Sequence, residues 1–218
     1  MPLTAGQAPA LEAVRTLRTR LGRGPRALAA AGALLLAVVY ITPLWNIRLI
    51  APQYPEGLGL HIRINTVSGV MPTDLDNING LNHYIGMKAI HPDAIPELRY
   101  MPWIVAALIV GGLLTALVAR RGVLLTWAGV YLATAVAGLI DFWKWEYDYG
   151  HNLDMARAII KVPGMNYQPP LIGSKQLLNF TAESWPAAGA ILAGLAFAVV
   201  VTTLVLSARR HIERGGVT

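Results

Sequence analysis

Four stretches of this chain carry no Asp, Glu, Lys or Arg over 19 residues or more: 27–47, 100–119, 122–140 and 184–208. A helix needs about 20 mostly apolar residues to cross the hydrocarbon core of a bilayer, so each stretch reads as a span. The 218-residue chain is 55% hydrophobic and only 14% charged, which agrees with a membrane protein and not with a soluble domain. Charge then sets the orientation. Arg15, Arg18, Arg20, Arg23 and Arg26 precede the first span. Arg120 and Arg121 separate spans two and three, and Arg209, Arg210 and Arg214 follow span four. These ten basic residues stand against Glu12 and Glu213 alone, net +8. The two long connections hold eight basic and ten acidic residues, net −2. Basic residues mark the cytoplasmic side, and four spans put all three basic segments there.

The expected fold is an all-α transmembrane bundle of four spans, both termini inside, with an extracytoplasmic α+β cap built from the two long loops. The divisions are a basic tail (1–26), span one (27–47), outer loop one (48–99) and span two (100–119). A two-residue cytoplasmic turn (120–121), span three (122–142), outer loop two (143–184), span four (185–208) and a tail (209–218) complete the chain. Residues 9–22 place Leu11, Val14, Leu17 and Leu21 on one face, as an interfacial helix would. Span one lacks a small-residue cleavage site and reads as an uncleaved signal anchor. Trp45, Trp103, Trp143, Trp145 and Trp185 fall at the outer ends of spans, as an aromatic belt. The net charge of +6 is accounted for by topology, so no nucleic-acid partner is expected.

The loops are patterned. Ile47 and Leu49 alternate with polar residues, a Pro/Gly-rich turn follows at 52–57, and Leu58, Leu60, Ile62 and Ile64 alternate again. Period-two alternation about a turn predicts a β-hairpin. Thr73 or Asp74 then caps a short helix. Loop two begins with an acid-and-aromatic run, 141–149, and ends in a Pro/Tyr/Asn-rich segment, 163–170. The two loops are expected to pack into one cap, with residues near 47–64 against the segments around His83 and His151.

Each loop contains His-x-x-x-Met: His83 with Met87, and His151 with Met155. On a helix, four-residue spacing puts both side chains on one face. Imidazole suits copper, and thioether selects Cu(I). The four residues are the candidate metal ligands. Met165, Tyr84, Asp148, Asp154, Asn82 and Asn152 are candidate additional or outer-sphere groups. Ordinary packing and hydrogen bonding explain the same residues equally simply, because the motif is short. Asp141, Glu146 and Asp148 suit the orienting of His ligands, or acid–base pairing, or plain solvation. No cysteine is present, which excludes disulfides, thiolate zinc and iron–sulfur ligation. No span interior holds a histidine, so no intramembrane haem is expected. No nucleophile elbow or phosphate loop is present, and the chain is not expected to be an enzyme.

The blocks 51–58 (APQYPEGL), 79–87 (NGLNHYIGM), 144–153 (KWEYDYGHNL), 165–173 (MNYQPPLIG) and 175–180 (KQLLNF) carry a resemblance. They resemble a family of four-helix bacterial membrane proteins encoded beside the clade II (atypical, Sec-exported) nitrous-oxide reductase and its maturation proteins. The resemblance covers residues 40–186 and brings no catalytic residues with it. It implies a multi-pass protein of the bacterial inner (cytoplasmic) membrane with its large loops periplasmic. It also implies a role beside a copper enzyme of denitrification. The reading that follows is an accessory protein handling copper, or docking a copper chaperone or the reductase itself. The alternatives are an electron-transfer or quinol-linked subunit supplying the reductase, and a metal-free scaffold.

Overall fold

The structure is a computed structural model that describes residues 17–215, with side chains as far as Ala208. In chain order its elements are α1 (Arg23–Leu35), which runs into a 3₁₀ turn (Leu36–Tyr40), then β1 (Trp45–Ala51), β2 (Tyr54–Ile62), β3 (Val67–Gly69) and α2 (Asp74–Ile85). After a short 3₁₀ turn (Pro92–Ala94) come α3 (Glu97–Val118), α4 (Arg121–His151), β4 (Gly173–Leu177), β5 (Phe180–Pro186) and α5 (Ala188–Gly215). Four helical segments are long and apolar enough to cross a membrane: Arg23–Tyr40, Glu97–Val118, Arg121–His151 and Ala188–Ala208. The chain divides into two compact units.

The first unit takes the chain up to Val38, Ile104–Ala135, and Leu192 onward. Its packing depends on small residues and on Trp127. A Cβ on Gly112 would lie 2.5 Å from the Trp127 ring and 2.6 Å from Ala33, and one on Gly32 would lie 3.2 Å from the Ala196 carbonyl oxygen. Close backbone approach of this kind is how helices associate where apolar burial offers no drive. Three polar side chains bond backbone carbonyls within the unit. Trp127 Nε1 donates to Leu108 O (2.9 Å), Tyr131 Oη to Ala193 O (2.8 Å), and Arg26 Nε to Ala116 O (3.0 Å). Residues 19–21 lie along the α3–α4 turn, where Leu21 N bonds Ala119 O and Arg121 N bonds Thr19 O. The interfacial helix expected over 9–22 falls mostly outside the described residues.

The second unit, Val39–Trp103 with Val136–Ile191, holds one antiparallel sheet of order β3-β2-β1-β5-β4. The expected hairpin is β1–β2, closed at Pro52-Gln53 with Ala51 opposite Tyr54. Loop two supplies β4 and β5, and β5 pairs with β1 from Trp45↔Pro186 to Ile50↔Thr181. Both loops therefore share one sheet. Its buried face presents Trp45, Ile47, Leu58 and Leu60, and Ile78 of α2 and Ile90 join the same cluster. Phe142, Trp145 and Tyr149, at helical spacing on α4, pack against that cluster. Asp74, 5% exposed, ties α2 to the sheet: its Oδ2 accepts from Gly59 N and Met71 N, both at 3.0 Å.

Several expected boundaries shift. Span one does not extend to residue 47. Helix gives way to a 3₁₀ turn ending at Tyr40, Pro43 cannot continue a helix, and Trp45 opens β1. Likewise, Trp185 and Pro186 belong to β5, and the fourth helix starts at Ala188. α3 begins at Glu97, three residues early. α4 does not end at 142: no Pro or Gly interrupts 139–149, and the Phe142–Trp145–Tyr149 stripe has the sheet to pack on, so the helix runs to His151. α5 runs beyond 208 to Gly215. The aromatic belt also loses two members. Trp45 is 7% exposed in the sheet core and Trp145 packs against the same cluster, while Trp103, Trp143 and Trp185 are 75%, 45% and 52% exposed.

Candidate functional site

The C-terminus of α2 organises the His/Met segments. Gly86 takes the left-handed conformation (φ 77°) that ends a helix, and Met87 N returns to Asn82 O at 2.9 Å. Asn79 brackets Ile90 (Oδ1 to Ile90 N 2.7 Å, Nδ2 to Ile90 O 3.1 Å), which folds 88–90 back onto α2. The end of α2 then docks on loop two. Gly86 O accepts from Asp154 N (2.7 Å), and Tyr84 O accepts from both Ile159 N (3.0 Å) and Ile160 N (2.8 Å).

These facts revise the expected geometry of the ligand pairs. α2 ends at Ile85, so Met87 is past the helix that carries His83. His151 is the last residue of α4, and Met155 lies in the coil after it. Neither pair lies on one helical face. His83 and Met87 instead flank the Tyr84/Gly86–Asp154/Ile160 hydrogen bonds on the α2 side and Met155 on the loop-two side, while His151 ends α4 three residues before Asp154. His83 and Tyr84 are exposed, Met155 is 38% exposed, and Met87 and His151 are half-buried. The His151 ring stacks on Tyr147 (centroids 3.9 Å), and its Nδ1 lies 3.1 Å from Tyr147 O, which leaves Nε2 as the free ring nitrogen.

The outer candidates have structural work. Asp148 pairs with Lys88 (2.7 Å) and with Asn152, and these two hydrogen bonds hold its carboxyl below the usual range. Asp154 caps its own turn through Ala156 N (3.1 Å) and Arg157 N (3.2 Å). Asn82 is buried with its amide on Lys88 O (3.4 Å). Met165 is half-buried, with its amide on Val162 O (3.2 Å). Tyr167 is 3% exposed, stacks with Phe180 (6.4 Å) and donates its amide to Gly150 O (2.9 Å). Among the described residues no three His, Cys, Asp or Glu side chains gather as a metal-holding group.

A second feature does not stand out from the sequence. The sheet-bearing unit encloses a cavity of about 480 Å³ lined by residues that include Tyr54, Trp145, Tyr149, Tyr167 and Phe180, together with Glu146. Glu146 is 0% exposed, and neither carboxyl oxygen has a hydrogen-bond partner. The uncharged run of α4 ends at Ile140, so Glu146 lies six residues beyond it, on the part of the helix that packs on the sheet. Burial disfavours the charged form and pushes this carboxyl up to about 8. The signal that could have found it is periodicity: Phe142, Trp145, Glu146 and Tyr149 form one helical stripe, with a single acid inside it.

No protein-family model matches the chain, and no curated protein is significantly similar to it.

Proposed function

We propose that this chain is a membrane-anchored accessory protein of nitrous-oxide reductase maturation. Its sheet-bearing unit, periplasmic in this reading, handles copper or docks a copper chaperone through His83, Met87, His151 and Met155. The observation that supports the reading is the junction at Gly86–Asp154. It stitches the two His/Met segments side by side and leaves His83 and Met155 exposed. Soft thioether and imidazole donors at an exposed junction suit transfer of Cu(I) between proteins, where a ligand must be reachable by a partner. Nothing in the arrangement resembles an enclosed storage site. Gene neighbourhood, through the resemblance, supplies the reductase as the recipient.

The test is a Cu(I) titration of the purified full chain against a chromogenic Cu(I) chelator. The parent is expected to withdraw about one copper per chain, and the quadruple variant His83→Ala, Met87→Leu, His151→Ala, Met155→Leu to withdraw none. Equal withdrawal by both would overturn the assignment. In cells, deletion is expected to leave reductase protein of low copper content. Fully metallated reductase that works only with an artificial electron donor would favour the electron-delivery alternative.

A further inference from the structure

We propose that the cavity of the sheet-bearing unit binds a quinol-type lipophile: a planar hydroxylated ring lying among aromatic side chains, its hydroxyl bonded to the Glu146 carboxyl. The cavity borders the His/Met junction, with Tyr84 and Met87 in its lining, but the proposal rests on Glu146 and the aromatic lining and does not depend on the copper reading.

Three observations carry it. The first is volume. About 480 Å³ lies within the ordinary range of small-molecule sites and exceeds what a single aromatic ring occupies. The second is Glu146. Buried polar groups are almost always bonded, and a carboxyl with both oxygens buried and unbonded is an expensive exception. A hydrogen-bonding ligand removes that cost. The third is the lining. Trp145, Tyr149, Tyr167 and Phe180 border the space, and planar rings pack favourably against aromatic surfaces. An acyl chain would fill the volume and leave the carboxyl unpaired. A protonated carboxyl offers one donor and further acceptors, which matches a ring hydroxyl able to give and take a hydrogen bond. A bilayer supplies lipophiles of this class, and four helices of this chain are long and apolar enough to cross one. The assignment is one of binding: nothing here requires electron transfer through the chain.

Full-length protein in lipid nanodiscs is titrated with 2-heptyl-4-hydroxyquinoline N-oxide, a fluorescent quinol mimic, and tryptophan and probe fluorescence are followed. Saturable one-to-one binding is expected. Glu146→Leu should weaken it about tenfold or more, the loss of one buried hydrogen bond. This variant places an apolar group in an apolar site and is expected to fold. Ala51→Phe, at a buried lining position, should weaken binding similarly by filling the space. Glu146→Gln, which keeps hydrogen-bonding capacity, should stay within about threefold of the parent. Heptylbenzene, which has ring and tail but no hydroxyl, should compete poorly. No saturable binding, equal binding by the folded Glu146→Leu variant, or equal competition by heptylbenzene would each overturn the proposal.

Discussion

The amide of Asp154 donates to the carbonyl of Gly86 across 2.7 Å, and this bond joins two loops that are 68 residues apart in the chain. It exists because Gly86 can adopt φ 77° and because it carries no side chain. A Cβ there would stand 2.7 Å from Asp154 O and 3.0 Å from the Ala158 methyl. The same glycine therefore ends α2 and admits loop two.

Replacing that glycine should separate the loops. Gly86→Ala combines left-handed strain with a clash against backbone, so a loss of about 2–4 kcal/mol is expected. Gly80 provides the control. It lies in α2, and a methyl group added there would meet nothing within 4 Å, so Gly80→Ala should be neutral or stabilising by up to about 1 kcal/mol. Thermal unfolding of the two variants checks the contrast. Limited proteolysis should also open 152–162 in Gly86→Ala only.

Asp74 offers a second check. Its carboxylate accepts from two backbone amides, Gly59 N in the sheet and Met71 N just ahead of α2. Asp74→Ala is expected to cost about 2–4 kcal/mol, because a buried donor left unbonded pays its full desolvation. Asp74→Asn keeps one acceptor oxygen and should recover roughly half. Equal stability of all three proteins would show that the staple contributes nothing.

How much of this is legible in the sequence follows from which signals are local. Apolar length and arginine placement are local properties, so the four helices can be read directly. The Ile47–Leu49 and Leu58–Ile62 alternation gives the first hairpin for the same reason. β4–β5 escapes such a reading because its turn, Leu178-Asn179, has no glycine, and Leu178 takes φ 53° as a non-glycine residue. The extension of α4 to His151 depends on a tertiary partner, the sheet, which no window of sequence contains. The His/Met pairs have helical spacing, but Gly86 and the end of α4 at His151 break that premise in both. Their shared junction rests on Gly86–Asp154 and Tyr84–Ile160 backbone bonds, which are invisible to side-chain pattern. Glu146 looks like one acid in a solvated run, because its burial comes from the sheet and not from its neighbours in sequence.

In the first unit the decisive contact is Gly112 against Trp127. Any side chain at 112 meets the indole at 2.5 Å and Ala33 at 2.6 Å. Gly112→Val is therefore expected to displace Trp127 and break its 2.9 Å bond to Leu108 O. A red shift of Trp127 emission and a lowered detergent-unfolding midpoint should follow, measured in a background where the other five tryptophans are replaced by phenylalanine. Unchanged emission would mean that the helices tolerate a wider separation.

The last prediction concerns pH. Glu146 binds its proton more tightly in the folded protein (about 8) than an unfolded glutamate does (about 4.3). Between those values the folded state holds more protons than the unfolded state, so stability must fall as pH rises through the window. The stabilising effect of protonation is complete below about pH 4 and lost above about pH 8. The difference between pH 5 and pH 8 is about 3.5 kcal/mol for one group shifted this far. Glu146→Gln removes the titration, so its unfolding midpoint should be flatter across this range and should exceed the parent's most at pH 8. Bound ligand that accepts a hydrogen bond from the protonated carboxyl would favour the protonated form further and move the parent's fall to higher pH. Parallel profiles for parent and Gln variant would mean that Glu146 is solvated in the native protein, and the cavity would then lack the unpaired acid on which its ligand assignment stands.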